Sequence, residues 1–485
     1  MTDLARMDAT AQAELVRSGE ASPTELVDAA IGRIEALNPQ INAVIHEFFD
    51  DARKQAAGEL PDGPFRGVPF LFKDLGAVLA GMPMHIGLQV LKDADFRVPI
   101  DSYLGARFKA AGLVVVGKTN LPELGILPTT EPKAYGATRN PWNLERTAGG
   151  SSGGSGAAVA SGMVPFAHAD DGGGSIRIPA SVNGLVGLKP TRQRISEGPL
   201  IGDVMSGLTA ALCLSHSVRD TAALLDAVHG AAPGDPYVAP EPARPYMKEI
   251  GVDEPLRIGF LEQPPVPGLE SHPECVAALR GALDLIESLG HEVEDSSPLS
   301  AEFASTLDLE DSFLTRWSAS QAAALDQFSV IIGRPITAAD VEPLTWALAE
   351  IGRERSAGQY LGAVALHQTV SRAIAGWHES GFDLLVTPTM AEPPVPLGTY
   401  TDDGDDPLDA FRRAVPAGAF TAIFNATGQP AISLPLHWTE DGLPVGVQLV
   451  APFGREDLLI RIAAQLEQAA PWTDKTPPVF AASDT

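Results

Sequence analysis

Apolar positions recur along the chain with two periods, and the switches between them predict the elements. Leu26, Ala30, Ile34 and Leu37 share one face of a 3.6-residue repeat. Ser22-Pro23-Thr24-Glu25, just before them, places serine at the N-cap, proline at the first helical position and glutamate at the third, which is a capping box. Asn38-Pro39 is expected to stop this helix. Continuous apolar runs at 68–72 and 113–116 predict buried strands, with a helix over 103–111 between them. Further strands are expected at 256–260, 382–386 and 445–449, and helices at 217–228 and 456–467. Residues 143–147 lack a strand pattern, and the proline-rich 232–245 reads as a surface connection. Residues 300–380 are helical in pattern and contain Trp317, Trp346 and Trp377; they form either a lid over a site or a core layer. No repeat of fixed period occurs. Alternation of buried strands with helices predicts an α/β layer arrangement.

Charge narrows the partners. Among 485 residues, 34 basic side chains face 62 acidic ones, for a net charge of −28. Nucleic-acid backbones and anionic membranes would be repelled, so neither is an expected partner. With 45% hydrophobic and 20% charged residues the composition is globular, and the length suits two or three average domains or one large α/β enzyme. Cys213 and Cys275 lie far apart and have no neighbour at metal-ligand spacing, so neither a disulfide framework nor a thiolate metal site is expected. Scarce thiols, and an N-terminus (Met1 to Arg6) without an apolar signal region, point to the cytoplasm. The most apolar long stretch, 417–436, is interrupted by Asn425, Gln429 and Pro430, so no membrane span is expected.

Two motifs match patterns whose context is wrong. Gly112-Leu-Val-Val-Val-Gly117-Lys118-Thr119 has the letters of a phosphate-binding loop, but its four central residues prefer to be a strand, and Asn120-Leu121-Pro122 is no helix start. Gly149-Gly150-Ser151-Ser152-Gly153 has the letters of a nucleophile elbow, yet no predicted strand leads into it. Nothing distinguishes His367 or His437 as its base.

A third pattern carries chemistry. From Gly149 the chain reads Gly-Gly-Ser-Ser-Gly-Gly-Ser-Gly, then a small-residue stretch, then Asp171-Gly172-Gly173-Gly174-Ser175-Ile176-Arg177. Residues packed this small bring backbone close to backbone or to a ligand. Upstream, Lys73 ends an apolar strand. Amide hydrolysis needs a nucleophile, a base that takes and returns its proton, and donors for the oxyanion; two serine-bearing glycine-rich segments and one lysine supply these without histidine.

This pattern resembles the amidase signature family. The likeness extends through Gly117-Lys118-Thr119-Asn120, Thr138-Arg139-Asn140-Pro141-Trp142, Gly187-Leu188-Lys189-Pro190-Thr191, Thr387-Pro388-Thr389 and Asn425 to Pro430, nearly the whole chain. The resemblance implies one large domain with a mixed central β-sheet covered by helices on both faces. Within 1–485 it implies a helical N-terminal part (1–60), a signature core (61–230) and a helical part (300–380), for which lid and core layer both stay open. It further implies a Ser-cisSer-Lys triad: Ser175 as nucleophile, Ser151 as the proton-relaying cis-serine and Lys73 as base. The amides of Gly172, Gly173, Gly174 and Ser175 would form the oxyanion hole, with Ser152 and Arg177 in support, and no metal or organic cofactor. The base role requires a neutral amine, whereas free lysine titrates near pH 10.4; burial at a strand end would lower it, and the strand turns Asp74 to the other face.

Some features differ from the family pattern: Gly172 stands where a bulkier residue is common, which predicts a more mobile loop, and Leu75-Gly76-Ala77-Val78 follows Lys73-Asp74 where Asn and Ile are common. Within the family, residues 10–20, 177–181 and 217–220 look most like the hydrolases of 6-aminohexanoate cyclic dimer, a nylon oligomer. The expected function is therefore cleavage of a small linear or cyclic amide through an acyl-enzyme, with a small-molecule amide as partner. An amidotransferase A subunit acting with tRNA and a non-catalytic binding protein are the alternatives. Pocket walls are expected from 126–135, 200–210 and 310–375. A homodimer is a common assembly among relatives, and the sequence leaves the oligomeric state open.

Overall fold

The computed structural model describes residues 3–300, 302–303, 307–401 and 404–481. Met1 and Thr2 of the N-terminal segment, and 301 and 304–306 of the helical region, lie outside the described residues. Strands β1 (Val44–Glu47), β2 (Pro69–Lys73), β3 (Val114–Thr119), β4 (Arg139–Asn140), β5 (Asn143–Thr147), β6 (Phe166–Asp171) and β7 (Val186–Lys189) occupy the first part. They are followed by β8 (Ala210–Ser215), β9 (Arg257–Phe260), β10 (Glu292–Glu294), β11 (Leu384–Pro388), β12 (Ala431–Trp438) and β13 (Pro444–Val450). Eleven of them make one mixed sheet in the order β1-β3-β2-β6-β8-β7-β12-β13-β11-β9-β10, flanked by helices. Strand β2 runs parallel to both β3 and β6, and β9 parallel to β10 and β11, while the other neighbours are antiparallel.

The expected α/β layering follows from apolar runs that have no polar side. All five residues of β2 are buried, as a strand covered on both faces requires. Phe70 meets Phe108 at 5.0 Å and Phe166 at 4.9 Å between ring centroids, so the 103–110 helix and β6 are tied to β2 by aromatic contact. The motif at 112–119 is indeed strand: Lys118 is buried within β3, with Nζ 2.6 Å from Asp74 and donating to the Pro83 carbonyl at 2.8 Å.

Two local expectations are corrected. The helix that begins at Pro23 under the Ser22 capping box does not stop at Asn38 but continues through Pro39 to Ile41. Proline forfeits only its own N–H there, near the helix end, and Asn38 accepts from the Ala43 and Val44 amides to shape the exit instead. Residues 143–147 do form a strand, β5, paired with β4 in a separate two-stranded ladder. It is largely solvated, so it needed no alternating apolar pattern.

The small-residue region behaves as its composition suggested. The helix Gly153–Ala160 is buried along its entire length, and a Cβ on Gly154 would lie 2.5 Å from the Asn120 amide nitrogen at the end of β3. The three tryptophans of the helical region go separate ways. Trp317 packs against the Gly172–Gly173 loop, Trp346 against the Ile86–Leu91 cluster, and Trp377 stacks on Phe382 at 4.4 Å. Among the described residues no helix is long and apolar enough to cross a membrane.

Candidate active site

Parallel pairing of β2 with β6 brings the carboxyl ends of two strands together, the usual place for a site in an α/β sheet. Lys73 is the last residue of β2 and is fully buried. Its Nζ lies 2.7 Å from Ser151 Oγ and donates to Asp170 Oδ1 at 2.6 Å. Ser151 lies just before the Gly153–Ala160 helix, and the Gly150–Ser151 peptide bond is cis. Burial is the largest influence on the Lys73 amine and pulls its pKa below the ordinary lysine value, with the Asp170 and Asp171 carboxyls opposing. Asp74 is turned away from Lys73 and takes up Lys118 and the amides of His85 and Ile86, as strand alternation predicted.

Ser175 sits four residues beyond β6, in a loop held by one carboxylate. Asp171 accepts from the amides of Gly174 (2.7 Å), Ile176 (3.1 Å) and Arg177 (3.4 Å), from two nitrogens of the Arg177 guanidinium at 2.9 Å, and from Asn425 at 2.8 Å. Burial resists its ionisation, but Arg177, with the Lys189 charge and the Asn425 hydrogen bond, prevails and holds its pKa at about 2. Arg177, itself fully buried, also bonds the Thr421 carbonyl, Gln448 and Asn425. Gly174 adopts φ +137°, and a Cβ there would stand 2.4 Å from Thr421 Oγ1, so only glycine fits. The loop expected to be mobile at Gly172 is therefore tied down at Asp171, Gly173 (whose carbonyl accepts from Thr421 at 2.7 Å) and Gly174. With the Gly174 N–H bonded to Asp171, the amides of Gly172, Gly173 and Ser175 are the ones without an acceptor among the described residues. Ser152 donates to the Asp170 carbonyl at 3.2 Å.

Both downstream histidines have hydrogen-bond partners of their own. His437 is bonded to Glu274 at 2.9 Å. His367 accepts from Arg316 at 2.6 Å on Nδ1 and bonds Ser312 through Nε2, and burial with the Arg316 charge pushes its pKa down to about 3. Among the described residues no cluster of His, Cys, Asp and Glu could hold a metal ion.

The family model for amidases matches residues 25–460. The chain belongs to the amidase family. Two relatives, the 6-aminohexanoate-cyclic-dimer hydrolases of Pseudomonas sp. (strain NK87) and Paenarthrobacter ureafaciens, are each 45% identical over 97% of this chain and 96% of their own length. A solved structure of 6-aminohexanoate cyclic dimer hydrolase superposes with a TM-score of 0.94 at 44% identity, covering 99% of this chain and 100% of that one. Like other members, this amidase is a hydrolase acting on amide C–N bonds.

A cavity of about 710 Å³ opens on the amidase loop, with Gly150, Gly173 and Ser175 in its wall. Ile126, Leu127, Phe313, Trp317 and Phe411 make it mostly apolar. Phe313 and Trp317, one helical turn apart, stack at 5.3 Å and face Gly172 and Gly173. Of the expected walls, 126–128 and parts of 310–367 line it, but 200–210 does not: Ser206 stands behind, its carbonyl bound by Arg316. Sequence reading missed Pro265–Pro267 and the 411–426 segment, whose apolar residues resemble ordinary core. It also missed Asp170 and His168. Asp170 lies 97 positions from its partner Lys73, and the only sequence signal was an unusual Asp-Asp pair before the glycines.

Proposed function

We propose that Ser175, Ser151 and Lys73 form the catalytic relay of this amidase, and that its substrate is a small cyclic or linear amide of the 6-aminohexanoate dimer type. The observation that carries the relay is the 2.7 Å contact between Lys73 Nζ and Ser151 Oγ beside a cavity walled by Ser175. Ser175 Oγ attacks the carbonyl carbon; its proton passes to Ser151, whose own proton passes to the Lys73 amine. The N–H groups of Gly172, Gly173 and Ser175 receive the oxyanion. As the C–N bond breaks, the proton returns from Lys73 through Ser151 to the leaving nitrogen. Water then attacks the acyl-enzyme by the same relay and releases the acid.

Arg177 and Ser152 support this arrangement without touching substrate: Arg177 neutralises Asp171 and thereby fixes the nucleophile loop, and Ser152 braces the end of β6. The substrate class rests on the relatives' identity along the whole chain and on a mostly apolar cavity with a few polar side chains (Asp308, Glu310, His367 and Arg412) in its wall, suited to methylene chains that end in polar groups. The test is turnover of 6-aminohexanoate cyclic dimer, its linear dimer and an anilide by the purified enzyme and by Ser175→Ala. Hydrolysis of the cyclic dimer that Ser175→Ala abolishes without loss of folding is expected; undiminished turnover in that variant refutes the nucleophile, and anilide turnover alone refutes the substrate class.

A further inference from the structure

Asp170 and Asp171 are adjacent in the chain at the end of β6, Asp171 buried and Asp170 partly buried, yet the surroundings of their carboxyls differ completely. Asp171 accepts six hydrogen bonds. For the Asp170 carboxyl, the Lys73 amine on Oδ1 is the one donor among the described residues, and Oδ2 is buried without a partner. A carboxylate wants several donors, so a carboxyl whose single donor is an amine shares its proton balance with that amine. We propose that Asp170 is a positioning residue that sets the proton affinity of Lys73: Oδ1 accepts one amine N–H, aims the nitrogen lone pair at Ser151, and through its charge holds the amine's proton against the pull of burial.

The geometry supports both halves. The amine has two polar neighbours, Ser151 Oγ at 2.7 Å and Asp170 Oδ1 at 2.6 Å, so fixing an N–H on one leaves the lone pair for the other. Other charges near the pair are already matched or neutral. Asp171 is paired with Arg177, Lys118 on β3 with Asp74, and His168 on β6 is kept uncharged by burial and the nearby lysines. Glu197, from the segment beyond β7, is partly buried with its pKa pushed up to about 7 by desolvation, and Asp170 is the last of the influences on it. The sign follows: burial lowers the amine's pKa and the Asp170 charge raises it, so removing that charge lowers it further. The free amine then persists to lower pH.

This inference rests on Lys73 being the base of the proposed relay, and the experiment separates the two. Asp170→Asn keeps an oxygen acceptor and the shape but loses the charge. Its kcat/KM profile is expected to move its acid limb to lower pH by about one unit or more, a tenfold change in the amine's acid constant, while the maximal rate falls. A limb that stays at the wild-type pH overturns the proposal, because a variant that merely loosened the loop would lower the rate equally at every pH. Should the Asn protein fail to fold, Asp170→Thr is read instead by the pH dependence of Ser175 labelling with a sulfonyl fluoride, with the same shift expected. Full turnover by Ser175→Ala would instead sink the relay itself.

Discussion

A single buried side chain ties the loop that carries Ser175 to the rest of the sheet. Among the described residues Arg177 makes the one guanidinium contact of Asp171, and it reaches three further acceptors on the chain that follows 420. Replacing it by methionine leaves a buried carboxylate without its paired guanidinium. Breaking such a pair costs about 3–5 kcal/mol, so Arg177→Met is expected to lose that much stability in urea unfolding along with its activity. Lysine should rescue little, because the two-nitrogen contact with Asp171 needs the planar fork. The same pair predicts acid behaviour. Asp171 has its pKa depressed from 3.8 to about 2, so its contribution to stability is complete above pH 3.8 and is lost as pH falls toward 2. A pH titration of unfolding free energy should show this loss in the wild type and its absence in Arg177→Met.

At the level of elements, the cavity depends on how the helices of the 300–380 region seat against the sheet. Gly352, in the helix Pro343–Glu354, lies so near the helix Leu309–Ile332 that a Cβ would stand 2.1 Å from the Ser318 carbonyl oxygen. Gly352→Ala must push the helices apart and displace Trp317, with an expected cost of about 1–3 kcal/mol and a raised KM in steady-state assays. At the other end of the Pro343–Glu354 helix, Glu123 accepts the Glu342 amide at 2.8 Å and ties the segment leading into the 126–128 cavity wall to the helix start. Burial, reinforced by the Glu342 charge, pushes the Glu123 carboxyl up to about 8. The folded state therefore binds this proton more tightly than the unfolded one, and stability must fall as pH rises from about 4.5 to 8. Glu123→Gln keeps the acceptor without the charge, so its melting temperature should fall less between pH 6 and pH 9 than that of the wild type; parallel curves would contradict this. Helix ends were legible where capping residues stood, as at Ser22, and misread at Pro39, because one missing N–H near a helix end is tolerable.

For the whole molecule, the net charge of −28 spreads over a surface that repels itself. Screening shortens the reach of that repulsion from about 30 Å in 0.01 M salt to about 8 Å in 0.15 M, so the melting temperature is expected to rise across that range in calorimetry. A fall would mean that surface ion pairs outweigh the repulsion.

The motif residues were readable because their chemistry is packed into contiguous stretches: two glycine-rich segments and a lysine ending an apolar run demand a loop, a turn and a strand end wherever they fold. Buried strands were readable for the same local reason, since β2 and β3 offer no polar face to water. Partners were not. Asp170 meets Lys73 only because β2 and β6 pair in parallel, the Gly174 amide is taken up by Asp171 because that carboxylate folds back on the loop, and the 411–426 wall reaches the cavity from the far end of the chain. Each of these contacts is a distance between segments separated by other elements or by a turn, and local pattern carries no measure of such distances.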